Sequence, residues 1–445
     1  MGGVRVIDVY GEPTVKKYLV ICLALALASL PAAAQERSSP VTLDEALRVF
    51  RERGFDLLIA NATIAGAASD LTIASAVANP SLSLSRGSSS TYDPSLCSGC
   101  SNTSVTGSVT DQAAISDALS GKRRLRMAVA RAALEATRLG RADAERTLGF
   151  TVKQQLLQAE LGREALGYAH EAQRLASETL DLVTKRYSAG AVSEADVARA
   201  EVQKLEADQA ADVAEQAFAQ AKAALAYLLG YDETPPGFDV ADDLVHGAAV
   251  SRAPAASREQ MLSEARAHRP DLAAVRAQLE RAQAAISLAR RLPIPDFFPS
   301  LQYSQEGRGQ SAIQPPTVTL AISATLPLFN RYRGEVARAA ADVETQEVTQ
   351  KKVEAQIGSD VSSAISAFAS ASSRAQRMQG RLLDRAARAR DLVRLQYEKG
   401  ATSLFELLDA QRTFLGTQNE YLQTLNDYWI ALFQLEQATG VELHP

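Results

Sequence analysis

The chain has 445 residues, a formal charge of −5, four histidines and one tryptophan. That balance excludes nucleic acid as a partner. His170, His246, His268 and His444 stand in no triad or metal-ligand spacing, and no glycine loop is built to cradle phosphate, so the residues point away from an enzyme and from any bound cofactor.

Lys16 and Lys17 precede an apolar run from Tyr18 to Leu30, which ends in Pro31-Ala-Ala-Ala34. The run is too short to span a bilayer as a helix, and Ala32-x-Ala34 matches a signal-peptidase site. Residues 1–34 therefore read as a secretory signal, with Cys22 discarded inside it. No apolar run long enough for a membrane helix follows, so insertion is expected from β-strands alone.

The first repeat, residues 35–231, opens at Thr42-Leu-Asp-Glu45, a capping box for a helix reaching about Val77. Asn79-Pro80 stops it, and Ser81 to Ser85 alternates as a strand with one apolar face. A loop holding Cys97 and Cys100 leads to a weaker strand, Ser104 to about Ile115. From Gly121 to Tyr187 the pattern is continuously helical, about 65 residues or roughly 100 Å. Ser193 to Leu229 supplies a returning helix.

Residues 232–257, with Pro235, Pro236, Gly237 and Pro254, read as a linker. In the second repeat, 258–445, the plan returns: a helix from about Arg258 to Arg290, then a strand at Pro299 to Ser304. Arg269-Pro-Asp-Leu272 echoes Arg53-Gly-Phe-Asp-Leu57. Thr317 to Leu326 alternates most clearly, with Val318, Leu320, Ile322, Ala324 and Leu326 on one face, as a membrane-spanning strand does. A second long helix runs from Arg333 to Tyr397, also about 65 residues. In the last helix Leu404, Leu408, Leu415, Leu422, Leu425, Trp429 and Leu432 form a heptad seam against a neighbour.

The duplication is clearest where the long helices end. Leu182-Val-Thr-Lys-Arg-Tyr-Ser-Ala-Gly-Ala-Val-Ser193 returns as Leu392-Val-Arg-Leu-Gln-Tyr-Glu-Lys-Gly-Ala-Thr-Ser403, and the register holds to Gly230/Gly440. Each copy reads as the tip of an antiparallel helical hairpin. Tyr187, Gly190 and Ser193 match Tyr397, Gly400 and Ser403, with glycine ending one helix and serine capping the next. The expected fold is mainly α with a β-barrel portion. Four strands cannot close a barrel, so several chains must pool them, and three chains giving twelve strands is the smallest set that leaves a lumen.

The twofold plan, the Tyr-x-x-Gly-x-x-Ser tips, Asn79-Pro80, Arg269-Pro-Asp-Leu272 and Pro327-Leu-Phe-Asn-Arg331 together resemble the outer-membrane efflux protein (TolC-like) family. The resemblance implies a homotrimer with a twelve-stranded barrel in the outer-membrane lipid of a Gram-negative bacterium. The duplicated hairpins would form a periplasmic α-barrel, with the linker in an equatorial region. It also implies a periplasmic adaptor and an inner-membrane transporter as partners in a tripartite pump. Leu326 to Arg331 followed by Gly334-Glu335 looks most like the heavy-metal (CzcC-like) branch; drugs, other organic compounds and secreted polypeptides remain alternative cargoes. The competing readings are a periplasmic adaptor, which lacks the long duplication, and a secreted coiled-coil scaffold, which leaves the membrane-length strands unexplained.

Three expectations attach to residues. The tip residues Tyr187, Gly190, Ser193, Tyr397, Gly400 and Ser403 would meet the adaptor. Glu406 and Asp409, three apart on one helix, correspond to acids that line the tunnel entrance in the resembling family. The first copy has Asp196 and Arg199 instead, so its one acid can pair with the arginine. Cys97 and Cys100, with no further cysteine in the mature chain, favour a disulfide pinning an external loop; metal capture at the pore mouth is the competing role.

Overall fold

Which helices and strands lie side by side follows from where the long helices turn. A computed structural model describes residues 40–88, 95, 103–241, 244, 257–306, 315–378 and 382–443. The signal segment 1–34, Cys97, Cys100, His246, His444 and most of the 232–257 linker lie outside the described residues.

The expected first helix is two. Helix α1 (Leu43–Arg53) starts at Thr42, whose hydroxyl accepts from the Glu45 N–H at 3.3 Å. Only half of the expected capping box forms, because the Glu45 carboxylate turns to Arg48 instead. At Gly54 the chain bends, and α2 (Phe55–Ser75) departs in a new direction. The matching helix in the second repeat also divides, at Arg269-Pro270, into α6 (Arg258–His268) and α7 (Pro270–Ala289). Proline is tolerated there because the first turn of a helix has no intrahelical partner for its missing N–H.

Strand β1 is Ser81–Ser88 and β2 is Thr103–Thr110. Strand β2 ends before Ile115, which belongs to a short helix, α3 (Ala114–Ser120). Helix α4 (Lys122–Ser188) is 67 residues long, about 100 Å. It turns back into α5 (Glu194–Leu228). The second repeat continues with β3 (Phe297–Glu306), β4 (Thr317–Ala324), α8 (Arg333–Met378), α9 (Leu382–Glu398) and α10 (Leu404–Thr439). Strand β4 stops two residues short of the expected Leu326. The expected second long helix is described as α8 and α9 on either side of residues 379–381.

The four strands form one antiparallel sheet in the order β1-β2-β3-β4. Its register puts like with like. Leu82, Val109, Leu301 and Leu320 share one cross-strand row, and Ser83, Ser108, Gln302 and Thr319 share the next, on the opposite face. One face is thus mainly apolar and the other mainly small and hydroxylated, and residues of both faces are exposed or half-exposed.

The helices that continue these strands keep the same order. Helix α2 packs on α4, α4 on α7, and α7 on the first half of α8, so α2 and that half of α8 stand at open edges as β1 and β4 do, while the second half of α8 packs on α10. By length and composition the stretch Leu43–Ser75 also passes as a membrane-crossing helix, against the expectation that only strands qualify. It nonetheless lies along α4 as one stave of the helical layer.

The main core sits midway along the helices, where α1, α4, α5, α8 and α10 meet the segment around Val240. Trp429, Tyr428, Phe433, Phe368, Leu156 and Leu157 are buried there, and the Trp429 indole N–H donates to the Leu244 carbonyl at 2.8 Å. Gly230 ends the first repeat with φ +84°, where a β-carbon would lie 2.2 Å from the Arg53 carbonyl oxygen, so only glycine fits. In the second repeat Arg269 clamps the equivalent corner. It is buried, holds Asp271 at 2.6 Å and Asp360 at 2.9 Å, and so ties α7 to α8.

Candidate functional site

Both hairpin tips are closed by the same local chemistry. The Gly190 N–H bonds to the Tyr187 carbonyl and the Ala191 N–H to Arg186, at 2.9 and 2.8 Å; Gly400 and Ala401 repeat this with Tyr397 and Gln396. The glycines take φ of +74° and +73°, a left-handed conformation that releases the last helical carbonyls to these N–H groups.

Next comes a full capping box in each copy. The Ser193 hydroxyl accepts from the Asp196 N–H at 3.3 Å while the Asp196 carboxylate accepts from the Ser193 N–H at 3.2 Å. Ser403 and Glu406 do the same at 3.3 and 3.4 Å. Asp196 and Glu406 thus each have a structural task beyond any role in a pore. The three-residue spacing from serine to acid is the sequence signal for this box, of which the expected serine cap is one half. The Ser193 hydroxyl and N–H hold the Asp196 carboxyl below the usual range, with Arg199 at 3.2 Å adding to this. Asp409 is exposed one turn further on, next to no such box.

The two tips are not equivalent, although both keep the Tyr-x-x-Gly-x-x-Ser pattern. Tyr397 is 1% exposed and Tyr187 45%. Tyr397 lies in a small core with Val183, Ala200, Leu404 and Leu407, which joins the hairpins. Arg186 of the first tip lays its guanidinium 4.6 Å from the centre of the Tyr397 ring and donates to the Tyr397 carbonyl at 2.8 Å. The position matching Arg186 in the second copy is Gln396. That departure from the repeat is the one sequence signal that marks the contact.

Above the tips, the seam of α10 is not the one read from leucines alone. The buried positions are Leu404, Leu407, Gln411, Phe414, Gln418, Leu422 and Leu425, whereas Leu408 and Leu415 lie at its margin. Two glutamines occupy core places because the opposite helix accepts from their amide nitrogens, although the Gln418 Oε1 is left without a partner among the described residues. Gln411 donates to the Thr179 hydroxyl at 2.9 Å and Gln418 to the Glu171 carboxylate at 3.0 Å. Glu171 also receives Arg390 at 3.1 Å, and Arg390 stacks 4.1 Å from the Phe414 ring centre. This layer binds the first long helix to the second hairpin.

Among the described residues no three His, Cys, Asp or Glu side chains stand close enough to hold a metal ion. The site is instead a pair of linked helix ends, with acidic side chains at the start of each returning helix.

Comparison with known proteins agrees with this architecture. The sequence model of the family described as outer membrane efflux protein matches residues 46–231 and 261–441. The chain is 23% identical over 413 residues to the cobalt-zinc-cadmium resistance protein CzcC of Cupriavidus metallidurans, covering 92% of this chain and 93% of that one. It is 26% identical over 294 residues to the pyoverdine export outer membrane protein OpmQ of Pseudomonas putida, covering 64% of this chain but only 60% of that relative's length. Crystal structures of CusC share the fold with a TM-score of 0.72 at 20% identity, covering 93% of this chain and 96% of that one. The chain belongs to the outer membrane efflux protein family.

Proposed function

We propose that the protein is the outer-membrane exit duct of a tripartite efflux pump, a passive homotrimeric channel. The observation that carries this is a sheet with an exposed apolar face and two unpaired edges, whose open-edged order is repeated in the helices below it. A lipid-facing sheet cannot keep open edges, since every unpaired backbone group in hydrocarbon costs several kcal/mol. Pairing β4 of one copy with β1 of the next, and α8 with α2, covers both kinds of edge with one rotation. Three copies give twelve strands, and the serine, threonine and glutamine face then lines a wet lumen.

In this reading residues 1–34 are removed, the repeats 35–231 and 258–445 each contribute two strands and a hairpin, and 232–257 lies at the equator. The tips meet a periplasmic adaptor, which connects the duct to an inner-membrane transporter. The cargo is small solutes, heavy-metal cations among them, in keeping with the near full-length likeness to CzcC. Mass measurement of the detergent-purified protein should give three copies. A stable monomer that still conducts ions across a bilayer would sink the reading. For cargo, a strain lacking the gene should lose tolerance to cobalt, zinc or cadmium, and unchanged tolerance to all three would remove the metal assignment.

A further inference from the structure

The end of the sheet that joins the helices carries a surface unrelated to the tips. Helix α3 has inverted amphipathicity. Ser116 and Ser120 are buried, while Ile115 and Leu119, four apart on the other face, are 53% and 81% exposed. The buried side is polar by construction. The Ser116 hydroxyl donates to the Ala113 carbonyl at 3.2 Å, and Lys122 donates to Asp296 and to the Ile294 carbonyl at 2.8 Å each. Serine inward and leucine outward is unfavourable in water and favourable where the surroundings are hydrocarbon.

Arginines gather immediately beside it. A groove of about 270 Å³ between the start of α4 and the end of α7 is lined by Arg124, Arg290 and Arg291, with Ser120 and Ser287. None of the three guanidinium groups has a side-chain partner among the described residues. Their neighbours Lys122 and Arg126 are both matched, to Asp296 and Asp117. All three are exposed, so water screens their mutual repulsion, and an anion seated among them would be shared by three guanidinium groups. Helices α4 and α7 are neighbours within one chain, so this groove is not at the open edges where another copy would pack.

We propose that the groove binds the phosphate of an anionic phospholipid in the leaflet nearer the helices, with the acyl chains lying against Ile115 and Leu119. This rests on the reading that the sheet spans the membrane. The order along the molecule is apolar strand face, then Ile115 and Leu119, then the arginines. A phospholipid presents its acyl chains, glycerol and phosphate in that same order. Arginine suits the phosphate because its fork of donors is always charged and weakly hydrated. Free phosphate would use the arginines and leave the outward leucine without a purpose, which is why the occupant is a lipid.

The test uses the full chain, purified in detergent, delipidated and titrated with phosphatidylglycerol, phosphatidylcholine or inorganic phosphate, with bound lipid read by native mass spectrometry. Phosphatidylglycerol should be retained, phosphatidylcholine should bind at least about tenfold more weakly, and inorganic phosphate should not displace the lipid. The triple variant Arg124→Gln/Arg290→Gln/Arg291→Gln should lose phosphatidylglycerol by about tenfold or more. Leu119→Gln, which leaves the arginines in place, should weaken retention severalfold. The control Arg388→Gln/Arg412→Gln, on exposed arginines towards the tips, should leave it unchanged. Circular dichroism and bilayer conductance should match wild type in every variant, since these side chains hold no other part of the fold. Undiminished retention in the triple variant, equal retention of the two lipids, displacement by inorganic phosphate, or loss in the control overturns the proposal. A wild-type chain that conducts but retains no phosphatidylglycerol overturns it alone; a chain that does not insert at all overturns the channel reading beneath it.

Discussion

The Arg186 guanidinium lies 4.6 Å over the ring of Tyr397, and its Nη1 donates to the Tyr397 carbonyl at 2.8 Å, so one side chain holds the two hairpin tips together. Both interactions cross from the first repeat to the second, across 211 residues of sequence. A tunnel that opens at the tips must break or carry along this contact. Among the described residues the buried Tyr397 hydroxyl has no hydrogen-bond partner, so it is the ring and the backbone that Arg186 holds.

Arg186→Ala should therefore loosen the tips. A partly desolvated cation–π contact contributes about 1–2 kcal/mol and the hydrogen bond about 1 kcal/mol. The expected outcome is a severalfold rise in open-channel conductance events in planar bilayers, with melting of the body of the protein unchanged. A conductance record identical to wild type would show that this contact does not hold the entrance.

The acids at the second tip need a test that spares the capping box. Replacing Glu406 with Ala removes half of the box and costs about 1 kcal/mol of helix stability in addition to charge. Glu406→Gln with Asp409→Asn keeps the caps and removes the charges. Wild-type channels should be cation-selective and blocked by multivalent cations, since rings of carboxylates attract cations at a constriction. The amide variant should lose both properties. Unchanged selectivity and block would place these side chains outside the lumen.

The clamp at Arg269 makes an acid-side prediction. Burial opposes ionisation of Asp271, but the Arg269 hydrogen bonds and charge, with Arg146 nearby, outweigh it and hold the carboxyl below the usual range. A depressed folded-state value means the contribution is complete above the unfolded value of about 3.9 and is lost as pH falls through the lower folded one. Asp271→Asn should cost about 1–3 kcal/mol near neutral pH and flatten the stability curve below pH about 4. Thermal melting in detergent from pH 2 to 8 measures both, and a variant curve parallel to wild type throughout would contradict the assignment.

Cys97 and Cys100 carry a simpler expectation. Thiol titration of unreduced, denatured protein should find no free thiol, as for a disulfide in an oxidising compartment. Two free thiols per chain would rule the bond out.

Much of this was written locally. Glycine three residues after tyrosine, and serine three residues later, specify a helix end and a helix start through their own backbone and hydroxyl, so the tips were legible without any partner. Strand alternation in Val318, Leu320 and Ile322 was equally local, because side-chain direction in a strand has a period of two. What the sequence could not determine depended on distant partners. Gln411 and Gln418 look like surface residues until Thr179 and Glu171 are placed opposite them, and a seam read from leucines passes them over. The break at Gly54 does not show in the helical pattern because the residues on both sides suit a helix; Gly54 leaves the helical conformation with ψ 122° where Gly230 lies against the Arg53 carbonyl. Tyr187 and Tyr397 are the same residue in the same repeat, one exposed and one buried. Only the tertiary structure distinguishes them, because burial is set by which hairpin lies alongside, and Arg186 reaches Tyr397 while the matching Gln396 has neither the charge nor the length to return the contact.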